Sequence, residues 1–256
     1  MISKSQISFI KSLHQKKYRR EHQQFIIEGD KLLREFLASN YQLLKIFVLD
    51  SYYDECTSHL SKVSKKIDIE IIKAEEMQRI STFANSSECL ATVEIPSATD
   101  KFELSDDYLQ NNLVLALDGV RDPGNFGTII RIADWFGIKH IICSDDSVEL
   151  YNPKVVQSTM GSILRVNVQH VDLHEFLNTH KDQNIWGALL KGTDVYTVKE
   201  AKRGILLMGS ESHGIHEDNI KLVNKPITIP NYGGSAESLN VAVATAILCS
   251  EFVGRA

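Results

Sequence analysis

Three short segments of this 256-residue sequence are unusually rich in glycine and polar side chains, which marks them as places where a ligand could be held. The first is Asp118-Gly119-Val120-Arg121-Asp122-Pro123-Gly124-Asn125-Phe126-Gly127, which runs into a helical pattern carrying Arg131. Asn125 and Gly127 are placed to form the helix entry, with Arg131 about one turn further in. The second is Gly209-Ser210-Glu211-Ser212-His213-Gly214, where glycines let backbone approach a ligand and Glu211 suits a cation or a guanidinium. The third, Ile229 to Asn240, is rich in glycine and ends in Ser238-Leu239-Asn240 at the start of an apolar helix. Taken singly, the first is explained by a capped turn, the second by an acidic helix start, and His213 by an ordinary polar loop position. Capping accounts for one polar residue before the terminal helix, but not for a long glycine-rich approach ending in two. Neither GxGxxG nor GxxxxGK followed by Ser or Thr occurs in these loops, which counts against the common dinucleotide and nucleoside triphosphate enzymes.

Such loops need a scaffold, and the surrounding apolar runs supply one. Strands are predicted at Leu113–Leu117, His140–Cys143, Val166–Val171, Ile185–Leu190, Ile205–Met208 and Pro226–Ile229, separated by helical stretches. Short Val/Ile/Leu runs alternating with helices predict a parallel sheet covered on both faces, and ligands of such sheets sit beyond the carboxyl ends of the strands. Ahead of it, Phe25–Ile27, Ile46–Leu49, Ile67–Ile72 and Leu90–Ile95 alternate with helical patterns through Leu32 to Leu37 and from Ala74, giving a smaller α/β unit. Polar composition after Pro96 suits a linker. The expected division is 1–97, a linker at 98–112, and 113–256.

The formal net charge is -5, yet Met1 to Arg20 holds Lys4, Lys11, Lys16, Lys17, Arg19 and Arg20 with no Asp or Glu. Ile7, Ile10 and Leu13 recur at helical spacing there, so one stripe can dock while cations face elsewhere. That segment is either a solvated face or a phosphate contact. Cys56, Cys89, Cys143 and Cys249 form no CxxC pair, so reduced buried thiols and no structural metal are expected. No apolar run reaches the roughly 18 residues of a membrane span, and no signal pattern follows Met1, which predicts a cytoplasmic protein with no membrane partner.

In order, LDGVRDPGNFGTIIRIADWFGI, LLMGSESHGI and IPNYGGSAESLNVAVATAI resemble the three motifs of the TrmH (SpoU) branch of the SPOUT superfamily of RNA 2'-O-methyltransferases. NPKVVQSTMGSI resembles the segment between the first two, and the resemblance spans Leu113 to Phe252. The amino-terminal pattern SKxQxxxIKSLxxKKxR with FIIEG resembles the substrate-binding domain that many such enzymes carry, which is similar to small ribosomal proteins. Two positions depart from the pattern: Gln157 stands where Arg is common, and the third loop is one residue longer than usual.

The resemblance implies an α/β protein whose carboxyl-terminal parallel-sheet domain is a trefoil-knotted SPOUT fold, an exception to the unknotted rule. It implies S-adenosylmethionine as cofactor, mapped onto Gly209, Ile229 and Leu239 with Leu190 and Gly192 as neighbours, and a homodimer through the catalytic domain. It places Arg131 at the reacting nucleotide, Asn125 and Glu211 arranging it, Ser238 and Asn240 completing the pocket, and requires no metal. Lys16, Lys17, Arg19 and Arg20 are the expected RNA contacts. A guanidinium is a poor proton acceptor at neutral pH, which favours a phosphate-binding and charge-stabilising role for Arg131 over that of general base. The two-domain layout favours ribosomal over transfer RNA. The alternative is a non-catalytic RNA-binding or ribosome-associated protein, against which the intact Asn125, Arg131, Glu211, Ser238 and Asn240 argue.

Overall fold

The computed structural model describes residues 2–63, 66–96, 102–200 and 203–254. The chain forms two compact units, one of Met1–Asp100 with Glu149–Leu164 and one of Lys101–Val148 with Arg165–Ala256. The sequence places 149–164 with the second unit; the contacts group it with the first.

In the first unit, α1 (Lys4–Ser12) and α2 (Lys16–His22) precede β1 (Gln24–Glu28), α3 (Asp30–Leu37), β2 (Leu43–Leu49), α4 (Tyr53–Leu60), β3 (Asp68–Ile72), α5 (Ala74–Ile80) and β4 (Cys89–Glu94). The basic segment is thus two helices: α1 opens with a capping box at Ser3 and Gln6, and α2 ends at Gln23 in the left-handed region. The sheet order is β1-β4-β2-β3, with β2 and β3 parallel and the other pairs antiparallel. One core gathers Phe25, Phe36, Ile46 and Val48, and Val156 and Ile163 of the 149–164 segment complete it. A second joins Ile10 and Leu13 to Phe47, Met77 and Ile80, so the predicted apolar stripe of the basic segment does dock.

The second unit begins within the predicted linker. Residues 98–101 lie outside the described residues, and α6 (Asp106–Asn111), capped by Ser105, occupies most of the remainder. Leu109 is fully buried there, and Phe102, Leu104 and Tyr108 pack on the core of this unit, so polar composition hid a docked helix. Next come β5 (Leu113–Asp118), α7 (Pro123–Trp135) and β6 (His140–Ser144). After α8 (Pro153–Thr159), which belongs to the first unit, the chain continues through β7 (Asn167–Val171), α9 (Leu173–Thr179), β8 (Ile185–Asp194), β9 (Gly204–Gly209), α10 (Glu217–Ile220), β10 (Lys225–Thr228) and α11 (Val241–Val253). All six strands are paired in parallel in the order β10-β8-β9-β5-β6-β7. The central β5 is buried along its whole length, as a strand covered on both faces must be. Among the described residues no helix is long and apolar enough to cross a membrane.

Candidate active site

β5 and β9 are neighbours in register from Leu113↔Gly204 to Asp118↔Gly209, so the first two loops leave the sheet side by side at its carboxyl edge. Asp118 is buried, and its Oδ2 accepts from the backbone N of His216 at 2.8 Å and from Asn219 Nδ2 at 2.9 Å. This carboxylate ties the end of β5 to the chain that leaves the second loop. Within that loop Ser210 and Gly214 exchange backbone hydrogen bonds at 2.9 and 3.0 Å. A Cβ on Gly209 would lie 2.1 Å from the Gly214 carbonyl carbon, so only glycine permits the closure.

The first loop is held from the other side. Ser144 Oγ accepts from Gly119 N at 2.8 Å and donates to Asp146 Oδ1 at 2.7 Å, while Arg121 Nη2 donates to Asp146 Oδ2 at 2.6 Å. The Ser144 hydroxyl and then Arg121 hold the Asp146 carboxyl below its ordinary range. The helix entry is Asp122, whose Oδ1 accepts from Asn125 N at 2.7 Å, with Pro123 at the first helical position. Asn125 and Gly127 therefore lie inside α7 and not at its entry, which frees the Asn125 side chain.

That side chain joins the three loops. Asn125 Nδ2 donates to Glu211 Oε1 at 2.6 Å, and Asn125 Oδ1 accepts from Asn240 Nδ2 at 2.9 Å. Asn240 in turn caps α11, its Oδ1 accepting from Ala242 N and Val243 N. Asn125, Glu211 and Asn240 are thus brought together, one from each loop. Arg131 is exposed on α7, and Ser238 is exposed in the approach to α11; neither side chain has a hydrogen bond to a described residue. Arg131 is an uncommitted guanidinium on the same helix as Asn125.

Of the positions mapped to a cofactor, Leu190 is 77% exposed and Leu239 49%, while Gly209 and Ile229 are half-buried. Gly192 packs so closely on β10 that a Cβ would meet the Ile227 backbone at 2.8 Å. Thr228 Oγ1 donates to the Leu190 carbonyl at 3.3 Å, which brings the approach to Ile229 beside the outer part of β8. The third loop is organised by Asn231, whose Oδ1 accepts from Gly233 N and Gly234 N, each at 2.9 Å, while Tyr232 stands 86% exposed. His213 Nδ1 lies 2.7 Å from Ser212 Oγ and meets no carboxylate among the described residues.

In the first unit Lys16, Lys17 and Arg20 are exposed, but Arg19 is not. Its side chain is 2% exposed, ion-paired to Glu149, and donates to the Leu13 carbonyl at 2.8 Å. Arg19 is a buried structural cation, which corrects its place among the expected phosphate contacts. All four cysteines are buried and free; burial raises Cys56 to about 11 and Cys89 and Cys249 to about 12, which suppresses thiolate chemistry. Asp30, Glu55 and His59 place one ligand-type atom each within 4.8 Å of one another, but Asp30 already accepts from Tyr52 and pairs with Arg34.

Sequence reasoning missed Asp118, Asp122, Asp146 and Asn231. Asp122-Pro123 carries a readable signal, an N-cap residue before a helix-starting proline. The other three act through contacts to distant loops or to backbone, which spacing does not reveal.

A profile of the SpoU rRNA Methylase family matches residues 112–250, and one of the MRM3-like substrate binding domain matches residues 4–91. The chain is 29% identical over 241 residues to the 23S rRNA (guanosine(2553)-2'-O)-methyltransferase RlmP of Bacillus subtilis, covering 93% of this chain and 92% of that one. Its fold is similar to a TrmH-family protein from Porphyromonas gingivalis, with 35% identity, a TM-score of 0.84 and 100% of both chains covered. It is also similar to an AdoMet-bound rRNA methyltransferase from Sinorhizobium meliloti, with 25% identity, a TM-score of 0.82 and coverage of 100% of this chain and 97% of that one.

Proposed function

Because the chain belongs to the SpoU rRNA methylase family, we propose that it is an RNA 2'-O-methyltransferase that transfers the methyl group of S-adenosylmethionine to a ribose 2'-hydroxyl of ribosomal RNA. The observation that carries this for the chain's own residues is the Asn125–Glu211–Asn240 junction, with the uncommitted Arg131 on the same helix as Asn125.

When bound, S-adenosylmethionine supplies an electrophilic sulfonium methyl group. The residues present suit it: half-buried Gly209 and Ile229 offer backbone, and the exposed Leu190 and Leu239 offer apolar surface that an adenosyl moiety would cover. Arg131 is assigned to the phosphate beside the target ribose, where its fork of donors fixes the nucleotide and its charge steadies a developing alkoxide. Asn125 and Glu211 orient that nucleotide, and Ser238 and Asn240 close the pocket. The hydroxyl proton departs to the neighbouring phosphate or to water, since a guanidinium stays protonated. Titration calorimetry with S-adenosylmethionine, followed by mapping of 2'-O-methyl groups in ribosomal and transfer RNA from a deletion strain, tests the assignment. Saturable cofactor binding and loss of a ribosomal RNA methyl group are expected; RNA binding with no cofactor binding would return the chain to the non-catalytic reading.

The first unit is assigned to RNA capture through Lys16, Lys17 and Arg20. Replacing all three by alanine is expected to weaken RNA binding and to flatten its dependence on log salt by about 0.7–0.9 per lost phosphate contact. An unchanged slope in a filter-binding series would make the segment a solvated face. We assign the chain to the cytoplasm and to a homodimer through α7 and α11. These helices pack together, yet leave Trp135 85% and Val243 50% exposed, and a second copy would cover such surface. Light scattering of the full chain reads its mass directly. The trefoil knot is assigned to the second unit on its sheet order and on the likeness to TrmH-family folds.

A further inference from the structure

At the amino end of β5, opposite the end where Asp118 leads into the first loop, the second unit holds an open cleft of about 730 Å³. Beside Asn111, Asn112 and aliphatic residues such as Leu113 and Val198, its lining holds aromatic rings and cations. Tyr108 of α6, Phe136 after α7 and Tyr196 in the turn after β8 give aromatic surface; Lys139, Lys199 and Arg203 give positive charge. The carboxylate in the lining is Glu200, and both its oxygens accept from Lys225 Nζ, at 3.1 and 2.9 Å, so it offsets none of the three cations. Neither those cations nor the hydroxyls of Tyr108 and Tyr196 make a side-chain hydrogen bond or ion pair to a described residue. Their donors are unspent around one concavity.

Uncommitted cations interleaved with aromatic rings form the surface that single-stranded nucleic acid needs, because bases stack on rings while phosphates pair with the charges. A purely apolar occupant would leave three charges desolvated and unpaired, which is costly. We propose that this cleft binds a nucleotide of single-stranded RNA, its base against Tyr196 and Tyr108 and its phosphates at Lys139, Lys199 and Arg203. This rests on the reading of the chain as an RNA methyltransferase. The six residues of β5 separate the cleft from the candidate active site by about 20 Å at roughly 3.3 Å per residue, so the nucleotide it takes lies further along the strand than the methylated one. The cleft would thereby set the register of the substrate, a role separate from that of the basic helices of the first unit.

The test uses the full chain and a short fluorescent oligouridylate, with anisotropy followed over a salt series. For Lys199→Ala/Arg203→Ala, weaker binding and a slope lower by about 1.4 are expected, at roughly 0.7 per phosphate contact. Tyr196→Ala is expected to weaken binding about 10-fold through lost stacking. A 4-thiouridine version of the oligonucleotide should crosslink to the peptide containing Tyr196 or Tyr108. Unchanged affinity and slope in both variants, or crosslinks confined to other peptides, would overturn the proposal. So would a change in molecular mass without a change in oligonucleotide affinity, which would make the cleft a contact between copies. Calorimetry with S-adenosylmethionine on the same proteins confirms that the variants are folded and separates the two readings. Cofactor binding by the original chain with indifferent variants sinks the cleft alone, whereas oligouridylate binding through the cleft with no cofactor binding sinks the methyltransferase reading alone.

Discussion

Replacing Arg131 with alanine is expected to remove nearly all methylation while leaving the affinity for S-adenosylmethionine close to that of the unaltered chain. Arg131 is exposed and makes no hydrogen bond to a described residue, so its loss leaves no buried partner unpaired and costs the fold little. The positions assigned to the cofactor lie on β8, β9 and the third loop, whereas Arg131 lies on α7. The lost interaction is one that strengthens as negative charge develops on the ribose oxygen, and such losses appear in the rate and not in the binding of the cofactor. Arg131→Lys separates charge from shape. A lysine keeps the positive charge and loses the planar fork, and the variant should remain impaired on the order of 100-fold if bidentate recognition of phosphate matters. Single-turnover methylation at saturating RNA, over a pH series and with cofactor affinity measured in parallel, is the check. Full activity in the alanine variant refutes the assignment of the site; full activity in the lysine variant refutes only the fork.

The second large effect concerns Arg19, and here stability changes first. The guanidinium is 2% exposed, and Glu149, its partner, is 15% exposed. Arg19→Ala strands that carboxylate and the Leu13 carbonyl without their donors, and breaking a buried pair from one side costs about 3–5 kcal/mol. A denaturant midpoint well below that of the original chain is expected. Because the side chain never reaches solvent, RNA binding by protein that is still folded should keep its salt slope. Arg19→Met combined with Glu149→Leu should recover much of the lost stability, since a packed apolar pair is often as stable as the ion pair it replaces. A single variant as stable as the original chain would show that the contact contributes nothing.

Arg19 also marks where the sequence stops being legible. Lys16, Lys17, Arg19 and Arg20 are equivalent on a charge count, and the contacts that hold Arg19 inward, to Glu149 and the Leu13 carbonyl, do not show in it. The strands were readable because each is a short apolar run between turn residues; Ile185–Leu190, for instance, appears as the first part of β8. α6 was not, because Leu109 is the one fully buried residue in a helix otherwise built of Asp, Tyr, Gln and Asn. At the candidate site, the three loops could be found from glycine and amide content, but the Asn125 amide that joins them could not. It accepts and donates across 115 and 86 residues of chain, and separations of that kind leave no periodic trace.

The grouping of Glu149–Leu164 with the amino-terminal residues has a consequence for how the protein is made. Phe25 lies with its ring centroid 4.6 Å from that of Tyr151, and Val156 and Ile163 are part of the same core. When translation has passed Asp100, those partners have not yet been synthesised. At about 5–20 residues per second the ribosome needs several seconds more to reach Leu164. During that interval the nascent amino-terminal segment carries a core with one wall missing, while β5, α7 and β6 of the next unit are being synthesised. The two units therefore mature in an overlapping order, and the stretch from Lys101 to Val148 must leave the first one open until the chain returns to close it.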